Sequence, residues 1–190
     1  MSERSRCKWC NLKNPIYIKY HDEEWGVQNF NEHYLFEMLI LESFQAGLSW
    51  ECVLGKREAF RKAFDGFDAE KISVYDDNKI AELQSNKDII RNKLKIRSAV
   101  NNAKIFLEIQ KEYGSFREYL KVFTGEQQII EVDKTTSPLS DALSADLKKR
   151  GMKFVGSTII YSYLQAIGVI SSKRKNVLCI KDVWVNEKSI

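Results

Sequence analysis

Glu42 occupies a position where helical periodicity calls for an apolar residue. It follows Leu35, Met38 and Leu39 by seven, four and three positions and precedes Ala46 by four, the spacing of one helical face. A carboxylate there needs a hydrogen-bonding partner, a raised pKa or an open pocket, or else a helix rotated enough for it to reach solvent or a nearby arginine. The segment Gln45-Ala46-Gly47-Leu48-Ser49-Trp50 then sets a glycine where it weakens the helix, followed by a leucine and a tryptophan. More aromatics crowd the N-terminus, at Trp9, Tyr17, Tyr20 and Trp25. Aromatic faces around one carboxylate suit a flat base carrying positive charge, through stacking and cation–π attraction. As core, the same residues would be unremarkable.

A second constellation lies between Ser137 and Gly168. Ser137 is placed to cap a helix with Pro138 at its first position, and Leu139, Ala142, Leu143 and Leu147 form the expected apolar stripe. Gly151 ends that helix. Met152 to Gly156 connects to a second helix with Ile159, Ile160, Tyr163, Leu164 and Ile167 inward, closed by Gly168. In such a helix-hairpin-helix, Gly156 allows close backbone approach, and the amides of Ser157 and Thr158 can hold one DNA phosphate. Lys148, Lys149, Arg150 and Lys153 surround that point. A plain helical hairpin has the same grammar.

A third is Cys7-Lys8-Trp9-Cys10 with His21 nearby, half of a structural zinc site by ligand chemistry. The alternative is a metal-free knot in which His21 is a hydrogen-bonded core residue.

The elements that must position these groups are mostly helical. The chain has 190 residues, 44% apolar and 29% charged, which fits one globular domain over 1–190. Only two prolines and nine glycines punctuate it. Helices are expected over Glu32–Leu54, Glu58–Phe64, Asp77–Gln84, Leu94–Tyr113 and Ser115–Phe123, with a loop over Gly125–Ser137. Residues 1–30 form an aromatic, cysteine-bearing segment, 137–168 the hairpin and 169–190 a tail. No membrane span or secretory signal is evident, and four cysteines are too few for a disulfide scaffold, so a cytoplasmic protein is expected.

The net charge of +4 says little, but its distribution says more. Residues 139–190 hold nine basic and four acidic residues, against 21 and 22 in residues 1–138. A second basic run comprises Lys87, Arg91, Lys93, Lys95, Arg97 and Lys104, with Asp88 its one acidic neighbour. Two basic patches could grip a phosphate backbone, although a single such cluster is more often a solvated helix face.

Several long segments together resemble one family. Tyr17-Ile18-Lys19-Tyr20-His21-Asp22-Glu23-Glu24-Trp25-Gly26, Leu35-Phe36-Glu37-Met38 and Leu41-Glu42-Ser43-Phe44-Gln45-Ala46-Gly47-Leu48-Ser49-Trp50 are similar to 3-methyladenine DNA glycosylase I. Asp88 to Lys93, Asn101-Asn102-Ala103 and Lys148 to Gly156 follow in the family's order, so the resemblance covers about residues 7–170.

The resemblance implies an all-α, helix-hairpin-helix enzyme that flips 3-methyladenine out of alkylated duplex DNA and hydrolyses it away to leave an abasic site. Glu42 is the expected catalytic residue, since Ser157 to Gly168 lacks the aspartate other hairpin glycosylases place there. On the family pattern Glu42 and Tyr20 hydrogen-bond the base, Trp50 stacks on it, and Trp9, Trp25 and Tyr17 line the pocket. Glu42 acting on the sugar or on water stays open. Gly47 and Leu48 are the expected wedge in the duplex, and Lys149, Lys153, Gly156, Ser157 and Thr158 the backbone contacts. No lysine is placed for attack on the sugar, which implies a monofunctional enzyme, adequate as a monomer and needing no cofactor for catalysis. The family's zinc pattern takes Cys7 and His21 from the N-terminus and a His and a Cys from the tail. Here the tail has Cys179 but no histidine, so the set expected is Cys7, Cys10, His21 and Cys179. The competing function is a noncatalytic module that binds damaged DNA through the hairpin.

Overall fold

Helix α2 (Glu32–Gln45) is the axis of the molecule, because every residue from Leu35 to Phe44 on it is buried. The computed structural model describes residues 6–172, and apart from one long helix the helices around this axis are short. α1 (Pro15–Glu23) precedes it, and α3 (Trp50–Leu54), α4 (Arg57–Ala63), α5 (Ala69–Ser73) and α6 (Asp77–Ser85) follow. The 21-residue α7 (Lys93–Tyr113) leads to α8 (Phe116–Thr124). The hairpin helices are α9 (Pro138–Lys149) and α10 (Ser157–Ala166). α2 packs against α3, α7, α8 and α10, and α10 packs on α9. Among the described residues no helix is long and apolar enough to cross a membrane.

Local sequence explains most boundaries. Asn14, Asn31, Asn92, Ser115 and Ser137 each accept a backbone N–H from the first turn of the helix that follows. Ser137 and Ser140 cap each other reciprocally, with Pro138 at the first helical position. Gly114, with φ +88°, supplies the left-handed residue that ends α7.

Four expectations are corrected. The single helix expected over Glu32–Leu54 is two, α2 and α3. Between them Ala46 (φ −46°, ψ 113°) and Gly47 (φ +78°) form a type II turn, closed by Leu48 N–H donating to Gln45 O at 2.6 Å. The Gly125–Ser137 loop contains β1 (Ile129–Ile130), which pairs in parallel with β2 (Ile170–Ser171), Ile129 opposite Ile170. On α9 the inward stripe is Ser140, Leu143, Ser144 and Leu147, with Ala142 exposed. Ser144 faces inward because its hydroxyl donates to Val155 O at 2.6 Å, tying the helix to the hairpin loop. Ile159 is likewise only half-buried, and Tyr161 takes an inward place on α10.

Candidate functional site

The pocket is assembled from four elements of the chain. α2 supplies Glu42 and Gln45, α3 supplies Trp50, the N-terminal segment with α1 supplies Trp9, Tyr17, Tyr20 and Trp25, and α10 supplies Ser162 and Gln165. Together they line a cavity of about 260 Å³, large enough for a purine.

Each wall is pinned by hydrogen bonds. Asn14 caps α1 with its side-chain oxygen and donates its amide to Glu51 Oε1 at 2.8 Å. Asn11 donates to the same oxygen at 2.8 Å. Glu51 neighbours Trp50, so the segment bearing Trp9 and Tyr17 is fastened to the helix bearing Trp50. On the far side, Gly26 N–H donates to Gln165 O at 3.0 Å and Asn29 N–H to Ile167 O at 3.1 Å, holding the stretch after Trp25 on the end of α10. Gly168 (φ +77°) makes that contact possible, because a Cβ there would run into the backbone of Val27 and Gln28.

Within the cavity, Tyr20 and Trp50 lie 5.4 Å apart between ring centroids. Trp9 meets Trp25 edge-on at 4.9 Å and Tyr17 at 5.3 Å. Trp9 is 37% exposed and stands at the mouth, whereas the other four aromatic rings are buried.

Glu42 is only 3% exposed, and its Oε2 has no hydrogen-bond partner. Burial pushes its carboxyl well above the usual carboxylate range. Trp50 Nε1 is also buried without a partner. A buried acceptor and a buried donor left unpaired in one aromatic cavity cost about 1–3 kcal/mol each, so a ligand with complementary polar edges relieves both. Burial, then the Glu42 carboxylate, raises the Tyr20 phenol well above its ordinary value, so it remains a hydroxyl donor. Tyr17 is pushed up to about 12, chiefly by burial.

All six expected pocket residues, Glu42, Tyr20, Trp50, Trp9, Trp25 and Tyr17, come together. Gln45, Ser162 and Gln165 escaped the sequence reading. The signal for the last two was two polar residues three apart in a helix otherwise rich in apolar side chains.

The expected DNA contacts lie on the α9–α10 hairpin and on the Gln45–Leu48 turn. Lys149, Lys153 and Thr158 are exposed, Gly156 caps α10, and Leu48 is 42% exposed at the tip of the Gln45–Leu48 turn. Ser157 spends its hydroxyl on Asp141 and on Ser140, which leaves its backbone amide for an anion. Arg150 does not belong to this set: its guanidinium binds Asp146 at 2.7 Å and Glu112 at 2.6 Å. The second basic run is likewise divided, since Lys95 is buried and Arg97 pairs with Asp77 at 2.8 Å.

The described residues by themselves assemble no tetrahedral zinc site. His21 is buried, its Nε2 accepts the Cys7 backbone N–H at 3.3 Å, and its Nδ1 lies 2.9 Å from Asp22 Oδ1. A hydrogen bond from Arg6 holds Asp22 down to about 2, so a full carboxylate faces the ring. Cys10 points its thiol at Tyr17 O, 3.9 Å away. Among the described residues no three His, Cys, Asp or Glu side chains gather as metal ligands. Cys179 lies outside the described residues.

Comparison with known proteins gives a consistent result. The methyladenine glycosylase family profile matches residues 9–181. DNA-3-methyladenine glycosylase 1 of Escherichia coli (strain K12) is 39% identical over 180 residues, covering 92% of this chain and 96% of that protein. A crystal structure of 3-methyladenine DNA glycosylase I superposes with a TM-score of 0.88 at 40% identity, covering 92% of this chain and 99% of the other. A single-residue variant of 3-methyladenine DNA glycosylase I in complex with 3-methyladenine superposes with a TM-score of 0.85 at 32% identity, covering 90% and 96%.

Proposed function

This chain belongs to the methyladenine glycosylase family, and on that premise we propose how its pocket, turn and hairpin divide the work. It is a monofunctional, hydrolytic DNA glycosylase that releases 3-methyladenine, and the reading as a noncatalytic module falls with that membership.

Methylation at N3 leaves the purine cationic in DNA, so the C1′–N9 bond is already weak. When it breaks, the electron pair leaves with the base and neutralises it, and water adds at C1′ with loss of a proton. The protein's task is to recognise the extruded cation and hold it clear of the stack. Trp50 stacks on the base, and Tyr20 offers its hydroxyl as a donor. Glu42 is the acceptor for the base's polar edge. A cation beside Glu42 reverses the effect of burial and favours the carboxylate, so affinity for the charged base exceeds that for neutral adenine. Trp9, Trp25 and Tyr17 complete the aromatic walls.

The Gln45–Leu48 turn, placed beside the mouth by α2, presents Leu48 as the wedge that fills the vacated stack. Lys149 and Lys153, with the amides of Ser157 and Thr158, hold backbone phosphates of double-stranded DNA. One glycosylase domain spans 1–190 and acts as a monomer in the cytoplasm, with no cofactor in the chemistry.

The observation that carries this assignment is the partnerless Glu42 Oε2 inside an aromatic cavity. Its test is release of free 3-methyladenine from methylated duplex DNA by wild type and Glu42→Gln at matched concentration and salt. Release that falls sharply in the variant with DNA binding retained supports the pocket, and equal release overturns it.

A further inference from the structure

Lys95 is a buried cation with an unusual pair of acceptors. It lies in the first turn of α7, and its Nζ donates to Phe44 O at 2.9 Å and to Ala46 O. Those carbonyls belong to the last turn of α2 and to the second residue of the Gln45–Leu48 turn. An ammonium suits that place, because the end of α2 presents carbonyls that no following amide of the helix can reach. The same Nζ stands 5.9 Å from the ring centroid of Phe154, in the hairpin loop.

Seven residues further on, the same face of α7 holds the hairpin loop itself. Asn102 donates its amide to Lys153 O at 2.9 Å and accepts Lys153 N–H at 2.9 Å, while Asn101 donates to Gly151 O at 3.0 Å. α7 therefore grips the Gly47–Leu48 turn at its start and the phosphate-facing loop two turns later.

We propose that Lys95 is a positioning residue for base extrusion, fixing the Gly47–Leu48 turn relative to the hairpin so that wedge and backbone grip meet the duplex as one rigid unit. This rests on the wedge and hairpin roles proposed above. Without the ammonium, two carbonyls lose their donor and the turn is free to shift, while the pocket walls keep their own fastenings.

The test compares wild type, Lys95→Met, Leu48→Ala and the double variant in single-turnover and steady-state excision from methylated duplex DNA, alongside binding of free 3-methyladenine by tryptophan fluorescence. Lys95→Met is expected to lower kcat by about tenfold with a smaller change in KM, and to leave free-base affinity within about twofold. The double variant is expected to be no slower than the slower single one, because both act through one turn. A wild-type kcat in Lys95→Met, or full additivity with Leu48→Ala, overturns the role of Lys95. A wild-type kcat in Leu48→Ala instead removes the wedge, and the two failures are thereby distinct. Lys95→Gln, which keeps a donor for one carbonyl, carries the same comparison if the methionine variant does not fold, and its expected kcat lies between those of wild type and Lys95→Met.

Discussion

Glu37 and Glu42 are five positions apart on α2, equally buried at 2% and 3% exposure, and live in opposite electrostatic environments. Glu37 receives Arg57 Nε at 2.7 Å and Arg61 Nε at 2.8 Å. Burial would raise its carboxyl, but the hydrogen bonds from Arg61 and Arg57 outweigh that and hold it below the usual range. Glu42 has no arginine, and burial alone acts on it. One carboxylate is structural because its partners are built in; the other is left for a ligand to satisfy.

The free enzyme is therefore expected to gain stability from Glu42→Gln at neutral pH. A carboxyl whose folded pKa exceeds its unfolded value stabilises fully only below the unfolded pKa, and that contribution is lost as pH rises towards the folded pKa. Glutamine does not titrate, so the variant should be more stable by roughly 1–3 kcal/mol at pH 7, with the gain vanishing near pH 4. Thermal unfolding across that range measures it; a gain that is the same at both pH values would show that Glu42 does not titrate as its burial requires.

Arg57→Met is expected to destabilise by about 3–5 kcal/mol at neutral pH, because it strands Glu37 with Arg61 alone and removes the partner of Glu24 at 2.7 Å. Glu37 has a depressed pKa, so its contribution is lost as pH falls through the folded value. The gap between wild type and variant should accordingly narrow in acid. Urea unfolding at two pH values reads this directly.

Gly47→Ala isolates backbone conformation from sterics. A Cβ at Gly47 meets nothing within 4 Å, yet φ +78° is a left-handed conformation. The expected loss of global stability is about 1 kcal/mol. Excision from duplex DNA should fall much further than free 3-methyladenine binding does. Parallel losses in both would place the turn in the pocket rather than at the wedge.

Asn102→Ala removes two hydrogen bonds from the backbone of Lys153 at a buried site, at an expected cost of about 1–3 kcal/mol. DNA affinity should weaken with it. Lys153→Ala, by contrast, should leave stability unchanged, weaken binding on every sequence and flatten the slope of log K against log salt by about 0.9. Titrations at three salt concentrations separate the two variants.

Much of the site was legible in the chain alone, for reasons that are local. A carboxylate at helical spacing among apolar residues announced Glu42, and Ser137-Pro138, Gly151 and Gly156 punctuated the hairpin as caps and turns do in any protein. Aromatic type alone marks Trp9, Tyr17, Tyr20, Trp25 and Trp50 as candidates, and only the family resemblance implies that they share a pocket. In sequence the break at Ala46-Gly47 shows only as a weak point in one helix, because a glycine inside a helical pattern lowers its stability without dictating the alternative. The type II turn forms there with Lys95, 49 residues away, holding Phe44 O and Ala46 O.

Sequence by itself determined the periodicity, the caps and the chemical types, since these depend on neighbours within about one helical turn. Tertiary structure decided which charges are spoken for. Lys95 and Arg150 read as members of basic patches, yet one is buried against α2 carbonyls and the other is held by Asp146 and Glu112. For His21 the sequence allows a metal ligand or a hydrogen-bonded core residue, and the fold sets Cys7 N–H and Asp22 against its two ring nitrogens. Pairing of charges and lone pairs is set by distances of a few ångströms between segments far apart in the chain, and Glu42 stands out in this protein because, unlike Glu37, it was given no such partner.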